Sequence, residues 1–489
     1  MIQHQKIRLV MGILAFVTVI LLSCAGNSGT RVSGNNTNNH TGPEAKYVFL
    51  FIGDGFAYAQ KVAAEEYLEK TENGEGLSFT SFPAHGITTT MEANRLITDS
   101  AAAGTAIATG VKTNKGIVGM DQKLNRLETI AELAKAGGRK VGIVTSVSID
   151  HATPACFYAH QKSRSNYYEI ARSLAESDFD YFGGGGAKGN AASIRKDRED
   201  ILDIARRNGF TVAVGRAQLE SLQPGGKVFA YNKRLDRSHA LPYAMDYTAE
   251  DATLADFTRK GIELLDNSGG FFMMVEGGKI DWACHRNDAA AAVHDVIAFD
   301  EAVRTALDFY RKHPKETLIV VTGDHECGGM TIGFAGTRNE TDYSLLSHQT
   351  VSSDILDKRL TETVKNGGSF DDCMALLGDL LGFGRAIPLN DYETERLRNA
   401  YEFVRSNGRK KAYDDTRGRA YPSYSETNYN SVGLVATHIL DNRAGIGWSS
   451  YYHTGVPVGT YAVGSGSAMF VGSYDNTDIF RKLKTAMKL

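Results

Sequence analysis

The feature that most narrows the fold of this chain is a set of short, unbroken apolar runs separated by helix-length segments. KYVFLFI begins at Lys46, KVGIVTSV at Lys140, FFMMVE at Phe271 and TLIVVT at Thr317. Each has the length of a strand and none alternates with polar residues, so both faces must be covered. Between them lie segments of helical periodicity with clear stops. LETIAELAKAGG ends in a glycine pair, EDILDIARRNGF stops at Gly209, and AAAVHDVIAFDEAVRTALDFYRKHP stops at Pro314. This alternation predicts an α/β fold: a mainly parallel central sheet flanked by helices on both faces. With 489 residues, 42% of them hydrophobic, the chain can fill such a core.

Sheets of this kind bind ligands beyond the carboxyl ends of their strands. Asp54, Glu276 and Asp324 all stand there, each beside a glycine. A single strand-end carboxylate is an ordinary cap or turn former, but three point to one shared site. EGGKIDWACH places Asp281 and His285 four residues apart; on a helix both face one way and can grip a cation, although such pairs also occur on plain helix surfaces. TGDHECGG sets His325 beside Asp324, and YYHTGVPV contributes His453. Mixed Asp and His ligands suit zinc, whereas all-oxygen sets suit magnesium. The stretch TDSAAAGTAIATG, Thr98 to Gly110, holds Ser100 behind Asp99 and ahead of a run of small residues. If a helix begins there, Ser100 sits at its N-terminus, where unpaired N–H groups and the dipole favour an anion. The ordinary use of the same residues is an N-cap on a tightly packed helix.

The rest of the chain sets the context. From about 337 to 430 it turns polar and rich in Tyr, Arg and Asp, with helical pieces such as DYETERLRNAYEFVRS and no buried strand; this predicts an inserted helical or irregular subdomain. A net charge of −3 excludes a basic field for nucleic acid. At the N-terminus, Lys6 and Arg8 precede the apolar run Leu9 to Leu22, which closes on Ser23-Cys24. That run is short of the ~20 residues needed to span a bilayer and reads as an export signal over residues 1–23. Cys24 at the cut resembles a bacterial lipobox, which implies a lipid-anchored lipoprotein. Residues 24–42, rich in Gly, Asn, Ser and Thr, read as a flexible tether ahead of one folded domain at 43–489. In a cell with an outer membrane, Ala25 after the cysteine suggests sorting to that membrane. Cys156, Cys284, Cys327 and Cys373 form no metal-knuckle spacing and are left unpaired.

FIGDG, TDSAAAGTAIATG, HATPACFYAHQKSR, FGGGG, VEGGKIDWACH, TGDHE and HTGVPV occur in the order found in alkaline phosphatases. The resemblance runs from about Lys46 to Ala468 and is weakest in the insertion. It implies a phosphate monoester hydrolase with two zinc ions and one magnesium ion, and a homodimer. Carried over, Asp281, His285 and His453 would hold one zinc. Asp324, His325 and Asp54 would hold the second, with Ser100 as its exchangeable ligand and as the nucleophile that becomes a phosphoserine. Asp54, Glu276 and Thr153 would hold the magnesium, and Arg164 would bind the phosphate. His151 stands where an aspartate near the third metal is often found, and Trp282 where a lysine often approaches the phosphate. A sulfatase would need Pro and Arg after its nucleophile, which Ser100 lacks. A phosphodiesterase shares the metals and the serine, but Arg164 favours monoesters. A non-catalytic phosphate- or zinc-binding surface lipoprotein would be free to lose a member of this set, and none is missing.

Overall fold

The computed structural model describes residues 44–71, 76–406 and 431–489. The expected export signal, Cys24 and the expected tether lie outside the described residues, as does 407–430 of the expected insertion. The strands are β1 (Tyr47–Gly53), β2 (Ala84–Thr89), β3 (Lys140–Thr145), β4 (Tyr181–Gly184), β5 (Phe210–Val214), β6 (Lys227–Tyr231), β7 (Phe271–Gly277), β8 (Thr317–Gly323), β9 (Glu326–Cys327), β10 (Met330–Ile332), β11 (Ile446–Trp448), β12 (His453–Thr454), β13 (Val458–Gly464) and β14 (Gly472–Asp475). Ten of them form one sheet in the order β14-β2-β13-β8-β1-β7-β3-β4-β6-β5. Strand β13 runs against both of its neighbours, and every other pair in the sheet is parallel. The mainly parallel sheet read from the apolar runs is therefore what the chain builds.

The four runs quoted above become β1, β3, β7 and β8, and β1, β7 and β8 are buried along their whole length. Successive side chains point to opposite faces, so β1 feeds two cores. Phe49 and Phe51 join Met273, Val275, Ile319 and Val321 under the long helix Ala289–Lys312. Val48, Leu50 and Ile52 join Phe272, Met274, Leu318 and Val320, with Ala101 and Ile107 of the helix Ser100–Thr109. The outer strands escape a reading by apolar runs for physical reasons. β2 alternates buried and exposed residues, and β4 is only YFGG.

The polar segment carries the helices Ser353–Lys365, Phe370–Leu381 and Asp391–Arg405, and no strand among its described residues. Its apolar faces are not spare: Leu356, Leu360, Leu377, Leu381 and Leu397 are buried in the first core. Among the described residues a further helix, Val432–Ala444, follows, and beyond it β11 pairs antiparallel with β10, Trp448 opposite Met330. Among the described residues, no helix is long and apolar enough to cross a membrane.

Candidate active site

Strand register explains why three distant carboxylates meet. Gly53 pairs with Gly277 on one side and with Gly323 on the other, so the carboxyl ends of β1, β7 and β8 are level. Asp54 and Asp324 lie one residue beyond that line and Glu276 one residue before it. All three are fully buried. Asp324 is oriented by the Gly55 N–H at 3.1 Å and the His325 N–H at 2.8 Å, both donated to its Oδ1. The hydroxyl of Thr145, which pairs with Glu276 across β3 and β7, donates to Glu276 Oε2.

The Asp281 and His285 pair does lie on a helix, Lys279–His285, with Nε2 3.3 Å from Asp281 Oδ2. His453 arrives from far along the chain because β12 pairs antiparallel with β9, which sets it opposite Cys327. Its Nε2 is 3.2 Å from His285 Nε2 and 3.5 Å from Asp281 Oδ1. In both rings Nδ1 meets a backbone carbonyl, Tyr451 O at 2.6 Å for His285 and Thr98 O at 2.8 Å for His453. Those bonds fix the rings and aim both Nε2 atoms inward. His325 stacks on His453 at 3.6 Å, and its Nε2 lies 3.3 Å from Asp54 Oδ1 and 3.4 Å from Asp324 Oδ2.

Ser100 is the first residue of its helix and is capped by Asp99, whose Oδ1 accepts from Ala102 N at 3.1 Å. Cap and nucleophile candidate are thus neighbours with separate tasks. Ser100 Oγ stands 3.5 Å from Asp54 Oδ1 and 3.3 Å from His325 Nε2. The small residues behind it are packing surface: all ten residues of the helix are buried, and a Cβ on Gly104 would meet Cys156 Sγ at 3.1 Å and Thr153 Cα at 3.5 Å. Arg164 Nη1 donates to Asp99 Oδ2 and Nη2 donates to His151 Nε2, both at 3.0 Å. His151 in turn sits edge-on to Trp282, with ring centres 5.7 Å apart.

Donor atoms gather into three groups, each within 4.8 Å: Asp281, His285, Cys327 and His453; Asp54, Asp281 and His325; Asp54, His151 and Glu276. Buried polar atoms normally have hydrogen-bond partners. Here Asp54 Oδ2, Asp281 Oδ1, Asp324 Oδ2, Glu276 Oε1, Thr153 Oγ1 and His151 Nδ1 have none. Orphaned carboxylate and hydroxyl oxygens at this density fit bound cations. The electrostatics agree. Burial, then the carboxylates of Asp324, Asp281 and Glu276, hold Asp54 well above the usual carboxylate range. Burial pushes Glu276 up to about 7, with the Asp281 charge adding to it. Burial would also raise Asp281, but His285 and His453 overcome it and hold that carboxyl well below its ordinary value. Burial and the Arg164 charge keep His151 neutral, free to accept from the guanidinium.

Asp54, Ser100, Glu276, Asp281, His285, Asp324, His325 and His453 lie together, with Arg164, His151 and Trp282 alongside. Asp281 stands in the second donor group where Asp324 was expected, His151 in the third where Thr153 was expected, and Cys24 lies outside the described residues. Two contributions were not read from the sequence. Cys327 joins the first donor group, a position announced only by its place two residues after His325. Asp99 orients Arg164 as well as capping the helix. The four cysteines among the described residues are free and buried.

Fold and site together define the class: an α/β enzyme with a serine at a helix N-terminus, set over a buried array of cation-binding donors at the carboxyl edge of its sheet. The chain belongs to the alkaline phosphatase family, whose model matches residues 45–489. It is 31% identical over 457 residues to alkaline phosphatase 4 of Bacillus subtilis, covering 90% of this chain and 89% of that protein. Its fold matches the cold-active alkaline phosphatase of a psychrophilic Shewanella with a TM-score of 0.75 at 30% identity, covering 90% of this chain and 99% of that one. It also matches alkaline phosphatase from the Antarctic bacterium TAB5, in a histidine-to-glutamate variant with magnesium bound in its M3 site. That match has a TM-score of 0.63 at 25% identity and covers 91% and 98% of the two chains.

Proposed function

We propose that this chain is a metal-dependent phosphate monoester hydrolase that works through a phosphoserine on Ser100 and releases inorganic phosphate. The placement of Ser100 carries the reading: its hydroxyl stands at the positive end of a helix, 3.5 Å from Asp54 and 3.3 Å from His325, beside the Asp99 that holds Arg164. Asp281, His285 and His453 would hold one zinc ion, and Asp54, Asp324 and His325 a second; Asp54, Glu276 and Thr153 would hold magnesium. Bound there, such ions supply the Lewis acidity that a serine hydroxyl and a doubly charged ester lack on their own.

The chain's own residues do the rest. Arg164 has five N–H donors and uses one on each terminal nitrogen for Asp99 and His151. The others remain for phosphoryl oxygens, and two partners fix the guanidinium plane before the substrate arrives. A monoester offers free terminal oxygens to that fork, whereas a diester has one of them esterified. Ser100 Oγ bonds to phosphorus as the alcohol departs, and water then breaks the Ser100 ester to free phosphate. Hydrolysis of a phosphate monoester, a phosphate diester and a sulfate ester, measured beside the metal content of the purified protein, tests this. The monoester should be turned over fastest by protein carrying zinc and magnesium. A faster sulfate ester or diester, or full activity without metal, would refute it.

The N-terminal segment supports a further part of the reading: export, lipid attachment at Cys24 and residence at the periplasmic, outer-membrane or cell-surface side of a bacterial envelope; the homodimer rests on the family resemblance alone. Cys24→Ser should move the enzyme from the membrane fraction to the soluble one, and sedimentation of the protein without its lipid should give the mass of two chains.

A further inference from the structure

Lys279 is 1% exposed, four-fifths of a helical turn ahead of Trp282 on the helix Lys279–His285. Its ammonium lies 2.9 Å from Asp236 Oδ2, 3.9 Å from the centre of the Tyr243 ring and 4.6 Å from that of Trp282. The Asp236 carboxylate is itself fixed, since its Oδ1 accepts the Ser238 N–H at 2.7 Å and the Ala240 N–H at 3.0 Å. Burying a lysine ammonium is a poor device for stability alone, because apolar side chains of similar volume serve a core as well or better. This one ends on something useful. A cation over the face of an indole holds the ring plane. Trp282 meets His151 in a T-shaped contact with the ring planes at 80°, and His151 accepts from Arg164 Nη2 at 3.0 Å.

We propose that Lys279, anchored by Asp236, is a positioning residue for phosphate recognition, acting through Trp282 and His151 on the guanidinium plane of Arg164. Asp99 holds one terminal nitrogen of that guanidinium, and this chain of contacts holds the other. The inference rests on the reading that Arg164 binds the phosphoryl group, and it extends that reading to a side chain that touches neither substrate nor donor cluster. Lys279 shares a helix with Asp281, so the alternative is that it only steadies a donor; the two roles separate in a double-mutant cycle.

The test uses the metal-loaded enzyme in four forms: unmodified, Lys279→Met, Arg164→Ala and the double variant. It reads kcat/KM on a phosphate monoester, affinity for inorganic phosphate by calorimetry, and zinc content. Lys279→Met should lower kcat/KM and phosphate affinity about tenfold with Arg164 present, and less than about twofold once Arg164 is alanine, with zinc content unchanged. Asp236→Asn, which keeps the lysine and alters a partly exposed partner, should show the same pattern at smaller size and stands in if Lys279→Met does not fold. An equal loss in both Arg164 backgrounds, no loss at all, or a fall in zinc content would overturn the proposal. An unmodified enzyme that hydrolyses no monoester would instead refute the proposed function.

Discussion

His151 shows how one side chain can serve two neighbours at once. Its Nε2 accepts from Arg164, while Nδ1 is buried without a partner and the ring belongs to the donor group with Asp54 and Glu276. A neutral imidazole offers that group no charge, whereas aspartate would add one to a site suited to a hard cation. His151→Asp should therefore shift magnesium activation of the zinc-loaded enzyme to lower concentrations. Magnesium titrations of both proteins at fixed zinc check it, and superimposable curves would mean that His151 does not tune the third group. At this scale the sequence was informative where a residue type sat at a strand end or at helical spacing, as with Asp54, Asp324, Asp281 and His285. It was silent on Cys327 and on the second task of Asp99, because a thiol among buried residues and an aspartate before a helix each have a commoner use.

Among the elements, the short pair β9 and β12 does most to assemble the site. Only two residues long on each side, it sets His453 opposite Cys327 and Thr454 opposite Glu326. Glu326, 2% exposed, holds the pair in place. Its Oε1 accepts from Gln60 Nε2 at 2.9 Å and Met330 N at 3.1 Å, and its Oε2 accepts from Gly329 N at 3.2 Å and from the Thr454 hydroxyl. Glu326→Ala would leave several buried donors unpaired, at about 1–3 kcal/mol each before relaxation. The variant should melt at a lower temperature and lose zinc more readily than the unmodified protein, read by thermal melting and by competition with a chelator. Retention of both would show that His453 is held by its Thr98 bond alone. A two-residue pairing has no periodicity to read, which is why the sequence offered His453 as a candidate ligand but gave no local sign of how it reaches the site. The central strands were legible for the opposite reason, since burial on both faces leaves no polar position to blur the run.

For the whole molecule, the level carboxyl ends of three fully buried strands concentrate negative charge that the protein alone does not neutralise. Glu276 shows the consequence. Its carboxyl is lifted by burial from an ordinary 4.5 to about 7, so without metal the folded state holds a proton that the unfolded chain has already lost. The stabilisation is fully present below pH 4.5 and is lost as the pH rises through about 7. Bound cations take the proton's place, so they should remove this dependence and add their own binding free energy to the folded state. Thermal melting of stripped and loaded protein at pH 5 and pH 7.5 checks it: the stripped form should lose stability across that window relative to the loaded form. Parallel curves would place the cations elsewhere. The polar excursion was legible as helical, but its far limit was not, because the helix Val432–Ala444 is apolar enough to read as part of the main core.

The central claim is that Ser100 is the group that takes the phosphoryl. Ser100→Ala should abolish most turnover while phosphate still binds, since the donor groups and Arg164 remain. The most direct measurement is to quench the enzyme in acid during turnover of a monoester labelled in its phosphoryl group, then to map the label by peptide sequencing. The account predicts label on Ser100, within the peptide that holds TDSAAAGTAIATG, and none on the Ser100→Ala protein. Label on another residue, or turnover by the unmodified enzyme with no trapped label, would contradict it.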